Sequence, residues 1–207
     1  MPLQLVTPPA EEPVSLAEAK LHLRVDFTED DALIAAIIVA ARLHAEMLTR
    51  RQIVTARWTL ILDSFPGPSL MGLPVGEPFS LPGHAILLPK SPLQAVQSIQ
   101  YLDMSSTLQT MSASDYAVDA ACEPARITPV YGKIWPISLS QIGSVSVTFD
   151  AGFGAATAVP EGIKSWIKMR VGSLYAHREE VALMNRGKIE ALPFVDGLLD
   201  PYKVAMI

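Results

Sequence analysis

Between Arg50 and Val54 the hydrophobic period of this chain changes from 3.6 to 2, and no single regular element can carry both. Upstream, Ile34, Ile38, Ala41, Ala45 and Leu48 recur at helical spacing and predict a helix over 29–50 with a buried stripe. The run Ala32 to Ala41 is apolar all round, so this helix is expected to be covered on more than one side. Glu29, Asp30 and Asp31 suit its positive end, and Thr28 with Asp31 reads as its cap. Downstream, Val54, Ala56, Trp58, Leu60 and Leu62 alternate with Thr55, Arg57, Thr59 and Ile61, the pattern of a half-buried strand.

The rest of the chain divides around that switch. Ser15 and Glu18 form a predicted capping box that opens a shorter helix running to about Arg24. Asp63 to Gly83 holds five prolines and four glycines, which stop both helix and sheet and predict a long loop or extended arm. Short strand patterns follow near Ala85–Leu88, Val96–Leu102, Leu108–Met111, Tyr116–Val118, Arg126–Val130 and Ser144–Asp150. Pro160 and Glu161 open a last helix through about Glu180, with Ile163, Trp166, Ile167, Val171 and Leu174 on one face. The order helix, helix, many strands, helix predicts an α+β chain: a small helical unit built from both chain ends, with an antiparallel β-rich insertion between them. The expected boundaries are 1–52 for the N-terminal helical part, 53–154 for the insertion, 155–180 for the completing helix and 181–207 for a C-terminal arm.

That arm is too apolar for a solvated tail, yet Gly187, Pro193, Gly197 and Pro201 break it too often for one helix. It is expected to dock on another subunit, the alternative being that it packs back over its own sheet. Composition points the same way. Half of the 207 residues are hydrophobic and 18% are charged, so the chain buries a real core, and the mean hydropathy of +0.30 implies either an unusually complete core or, the reading the C-terminus favours, apolar surface awaiting a partner.

Catalytic chemistry is hard to find. A net charge of -5 argues against DNA binding as the primary function. Cys122 is the only cysteine, which excludes a disulfide framework or a cysteine-built zinc site within one chain. His22, His44, His84 and His177 form no HxxxH or HExxH pair, and His177 beside Glu179 and Glu180 reads as a solvated helix end. Gly152-Phe153-Gly154 lacks the lysine and the third glycine of the phosphate-binding loops and reads as a tight turn. No GxSxG elbow occurs. Neither a secretory signal nor a membrane span is expected, since the longest apolar run has ten residues and a spanning helix needs about 20. No catalytic, cofactor or metal residue is assigned, no enzyme activity is expected, and the compartment is expected to be reducing and cytoplasm-like.

Several separated stretches resemble one family. Ser15-Leu16-Ala17-Glu18-Ala19-Lys20-Leu21-His22-Leu23-Arg24-Val25-Asp26, with Asp30-Asp31-Ala32-Leu33-Ile34 and Ala40-Ala41-Arg42, resembles the opening of tailed-phage head–tail connector (adaptor) proteins. The Trp58 strand ending in Asp63-Ser64-Phe65-Pro66 is similar to larger members with a β-rich insertion. So are Leu88-Pro89-Lys90-Ser91-Pro92-Leu93, Tyr131-Gly132 to Trp135-Pro136, Val147 to Gly154 leading to Val159-Pro160, and Leu174 to Glu179.

The resemblance implies a virion protein of the neck of a phage, prophage or phage-derived particle, made in the host cytoplasm. It implies a homo-oligomeric ring, twelve-fold in the particle, that binds the portal protein on one side and a stopper or tail protein on the other. DNA would pass through its channel without specific binding. The helical part would build the ring and the C-terminal segment would insert into the portal, which makes Leu198, Leu199, Pro201 and Tyr202 the expected portal-binding residues. The competing expectations are another neck protein (a stopper or tail terminator) or a β-rich binding module resting on Trp58 and Trp135. The first would lack two capped N-terminal helices, and the second would need both tryptophans exposed.

Overall fold

The computed structural model describes residues 2–67, 84–177 and 197–204; most of the proline-rich stretch and the arm over 178–196, with Glu179 and Glu180, lie outside the described residues. The chain divides into two compact units, one of residues 10–54 and 153–203 and one of residues 1–9, 55–152 and 204–207.

The first unit is helical. α1 (Leu16–Leu23) starts on the predicted capping box: Ser15 Oγ accepts from the Glu18 amide at 3.2 Å, and Glu18 Oε2 accepts from the Ser15 amide at 2.8 Å. It ends on Arg24 in the left-handed conformation (φ 58°). α2 (Asp31–Thr49) does not use the expected Thr28 cap. Asp30 is its N-cap and makes no side-chain capping bond, because both nearby carboxylates are spent elsewhere. Asp31 Oδ1 takes the Lys20 ammonium at 2.6 Å, and Asp30 Oδ2 takes the Tyr175 hydroxyl at 2.5 Å. α3 (Glu161–Ala176) carries the predicted face, with Ile163, Trp166, Ile167 and Val171 buried. These side chains meet Ile34, Ile38, Ala41 and Ala45 of α2 and Ala19 of α1 in one core, which Ile53, Val54, Val159 and Leu199 complete.

The second unit is built of strands, and it contains one that the sequence reading missed. β1 (Leu3–Thr7) falls in the stretch expected to be helical, yet it pairs antiparallel with β2 (Ala56–Leu62), Leu3 opposite Leu60 and Leu5 opposite Trp58. The others are β3 (Ile86–Leu88), β4 (Leu93–Leu102), β5 (Leu108–Thr110), β6 (Tyr116–Asp119), β7 (Ala125–Pro129) and β8 (Val145–Ala151). A five-stranded sheet runs β1-β2-β8-β4-β5 and a three-stranded sheet runs β3-β7-β6, with every described pairing antiparallel.

β8 lies between β2 and β4, and its Val145, Val147, Phe149 and Ala151 are all buried while the residues between them are not. Leu60, Ile99 and these β8 residues share a core with Ile86, Leu88 and Ile127 of the smaller sheet. The predicted turn after β8 is present: Gly152 and Gly154 hold φ of 132° and 130°, which side-chain-bearing residues rarely adopt.

Candidate functional site: protein-docking surfaces

Within the helical unit, α2 is apolar on its outward side as well as on the side that enters the core. Arg42, Glu46 and Thr49 are buried, whereas Leu33, Val39, Leu43 and Met47 are exposed, the last two by 53% and 67%. The inward polar side chains form a closed network. Arg42 Nε donates to Glu12 Oε2 at 2.7 Å, and Gln52 Nε2 donates to Glu46 Oε1 at 2.7 Å. The Ile53 amide donates to the same Glu46 oxygen at 3.2 Å. Burial alone would lower the Arg42 pKa, but the Glu12 and Glu46 carboxylates outweigh it and hold the guanidinium charged. The polar residues of α2 therefore fix the chain on either side of it. The expected cover over its outward face is not supplied by the described residues of the chain itself. By length and composition α2 could cross a bilayer (19 residues, mean hydropathy 1.7), yet its Ile34–Ala45 side is built into the unit's core.

The β unit has its own apolar surface on the segment between β7 and β8. Lys133 pairs with Asp115, the Leu139 amide donates to Leu102 O at 2.8 Å, and the Gly143 amide donates to Asp63 Oδ1 at 2.9 Å. Trp135 turns inward, stacks on Phe65 at 4.9 Å and donates from Nε1 to His84 O at 2.6 Å. With those points pinned, Tyr131, Ile134, Ile137 and Ile142 face outward, each more than three-quarters exposed. Phe65, Pro66, Pro129, Trp135 and Pro136 line a pocket of about 470 Å³ beside them. Sequence reading missed this surface because isoleucines in an irregular segment have no period that says which way they point.

The expected portal-binding residues lie on and beside a short 3₁₀ turn, Asp200–Tyr202, within the helical unit. Leu199 is fully buried in that unit's core, and Leu198 and Tyr202 pack partly against it. Pro201 is exposed. The Tyr202 ring lies over Gly162 at the start of α3, where an added Cβ would come within 3.1 Å of it, and Arg51 Nε donates to Tyr202 O at 2.5 Å.

Residues that could carry chemistry are held in structural pairs. Cys122 Sγ donates to Asp119 Oδ2 at 3.1 Å, and that carboxylate pushes the thiol pKa up, the opposite of what a nucleophile needs. Arg126, only four residues beyond Cys122, pairs with the same Asp119 oxygen at 2.8 Å, so a basic group does lie near the thiol although the carboxylate outweighs it. His44 packs edge-on against Trp166, while His22, His84 and His177 are exposed. Among the described residues no three His, Cys, Asp or Glu side chains gather as a metal site would require. Trp58 lies under the Lys90 ammonium at 4.7 Å, and Trp135 is buried, so neither stands as an open platform.

Comparison with known proteins gives the chain its relatives. Residues 13–103 match the family described as phage gp6-like head-tail connector protein. Comparison with curated protein sequences gives no match. Among solved structures, a chain from the neck of an empty gene transfer agent particle, computed with C6 symmetry, superposes with a TM-score of 0.76 at 21% identity. Chains from the native gene transfer agent virion (0.77, 20%) and from the native neck computed with C12 symmetry (0.74, 21%) superpose similarly. Each of the three alignments covers 100% of this chain and 97% of the other, so the fold is shared from end to end. Over residues 13–103 the chain is similar to the phage head–tail connector family, and its fold agrees along its whole length with that of chains from gene transfer agent particles.

Proposed function

We propose that this chain is a structural subunit of the neck of a tailed phage or phage-derived particle, a head–tail connector that works by assembly. The observation that carries this reading is the connector-family sequence over 13–103 on a chain whose whole fold is that of neck-particle chains. The two surfaces support it: an outward apolar helix face on one unit and an outward isoleucine cluster on the other are what a subunit with several protein neighbours requires. The ring is twelve-fold, in keeping with the C12 symmetry of a neck that shares this fold, and DNA passes through it without specific contact.

One side of the ring meets the portal protein and the other a stopper or tail protein. The C-terminal segment around Leu198, Leu199, Pro201 and Tyr202 makes the portal contact. Leu199 is committed to the unit's own core, so it anchors the segment, while exposed Pro201 and the open sides of Leu198 and Tyr202 touch the portal. The isoleucine cluster of the β unit faces the stopper or tail.

The test is co-assembly with purified portal rings, read by negative-stain microscopy and native mass. Stoichiometric decoration of portal rings is expected, and its loss with Pro201→Glu at unchanged thermal stability supports the assigned contact. A wild-type chain that leaves portal rings bare at micromolar concentration sinks the connector reading.

A further inference from the structure

We infer that the outward face of α2 is the docking site for a second copy of this chain, which presents Leu21 and Phe27, flanked by Arg24, from the end of its own α1. The inference rests on the connector reading in its choice of partner; the surfaces are read from the helical unit alone.

The receptor side follows from the exposed apolar residues of α2. Leu33, Ala36, Ala40, Leu43 and Met47 recur at alternating spacings of three and four, and all are exposed. That is the a/d seam by which one helix packs on another. Its two alanines allow close approach, and the seam is about 21 Å long at 1.5 Å per residue. No charged side chain interrupts it, because the only charges between Asp31 and Arg50, Arg42 and Glu46, point inward. Beside it Val39, with Val14, Leu16 and Ala35, lines a groove of about 360 Å³ whose rim carries the exposed carboxylates Glu11 and Glu18. An apolar seam continuous with an acid-rimmed groove selects an apolar projection flanked by positive charge.

The unit itself carries such a projection. Outside α2, Leu21 and Phe27 are the exposed large hydrophobic residues of its described part, 81% and 45% exposed. Arg24, between them, is exposed and held in a left-handed cap. Lys20 is spent on Asp31 and the Phe27 carbonyl, so Arg24 is left to meet the acidic rim. The seam on α2 and the projection at the end of α1 are different surfaces, and a contact of this kind repeated from copy to copy is heterologous and gives a ring where its rotation closes.

The experiment uses the full-length chain and two single variants at exposed positions, Leu43→Asp on the seam and Leu21→Asp on the projection. Each is checked for wild-type circular dichroism and melting. Sedimentation velocity over a wide concentration range should show assembled wild type and both variants monomeric, with association weakened at least tenfold. Mixed one to one, the variants should form a complex of twice the 22.4 kDa chain mass and nothing larger, because only one competent pair of faces remains. Monomeric wild type at every concentration, wild-type assembly by either variant, or a mixture of folded variants that stays monomeric each overturns the inference. Portal-ring binding by the Leu43→Asp monomer, measured in parallel, separates that failure from failure of the connector reading.

Discussion

Arg42 and Glu46 stand one turn apart on α2 and both point into the protein, Nη1 to Oε2 at 3.2 Å with each side chain less than a tenth exposed. Glu46 also holds Gln52 and the Ile53 amide, and Arg42 holds Glu12. The pair thus ties the helix to the chain before it and after it. Removing one partner leaves the other charge buried without compensation, which costs about 3–5 kcal/mol. Arg42→Ala should lower the urea-denaturation stability of the chain by that amount, and a loss below about 1 kcal/mol would mean that water replaces the guanidinium.

In the β unit, Arg57 Nε and Nη2 grip both oxygens of Asp150 at 2.7 and 3.0 Å, and Gln97 adds a bond at 2.7 Å. The Arg57 hydrogen bond is the first reason that the Asp150 carboxyl titrates below its ordinary range. A carboxylate with a depressed folded pKa adds stability that is complete above its unfolded value of about 3.9 and is lost as pH falls through the folded value. Arg57 is 42% exposed, so water screens the pair and its contribution is small. Asp150→Asn should be slightly less stable than wild type at neutral pH. The gap should close in strong acid, and a gap independent of pH would assign the loss to packing.

Trp135 anchors the segment that displays the isoleucines. Trp135→Ala removes the stack on Phe65 and opens a cavity, for an expected loss of about 3–5 kcal/mol. Trp135→Phe keeps most of the stack but leaves His84 O without its donor, for about 1–3 kcal/mol. Thermal unfolding followed by near-ultraviolet circular dichroism measures both, and equal losses would contradict the separation of stacking from hydrogen bonding.

Leu199 distinguishes an anchored C-terminal segment from a free one. As a fully buried residue among Ile163 and its neighbours, it should cost about 2–5 kcal/mol when changed to Ala. The same change in a solvated tail would stay within about 0.5 kcal/mol. Limited proteolysis after Tyr202 should also quicken in the variant, and unchanged rates would place the anchor elsewhere.

Much of the fold is legible in the sequence because local signals there are redundant. The Ser15–Glu18 box, the Ile34–Ile38–Ala41–Ala45 stripe and the strict alternation of Val145, Val147, Phe149 and Ala151 each mark an element whose buried face repeats at its own period. β1 was not legible: four of its five residues are exposed or at the sheet edge, so it has no buried alternation, and its backbone bonds to β2 define it. The Thr28 cap failed for a related reason, since Asp31, the residue that would have closed it, is taken by Lys20.

The sequence by itself determined most of the elements and the connector resemblance, because caps, periods and turn residues act over a few neighbours. Tertiary structure alone decided which way the ambiguous residues face. Nothing local states that Arg42 and Glu46 turn inward while Leu43 and Met47 turn outward, or that Leu199 enters the helical core while Pro201 stays outside. Those choices depend on partners up to 151 residues away, as Arg51 and Tyr202 show, and a side chain's burial is settled by what the folded chain brings to it.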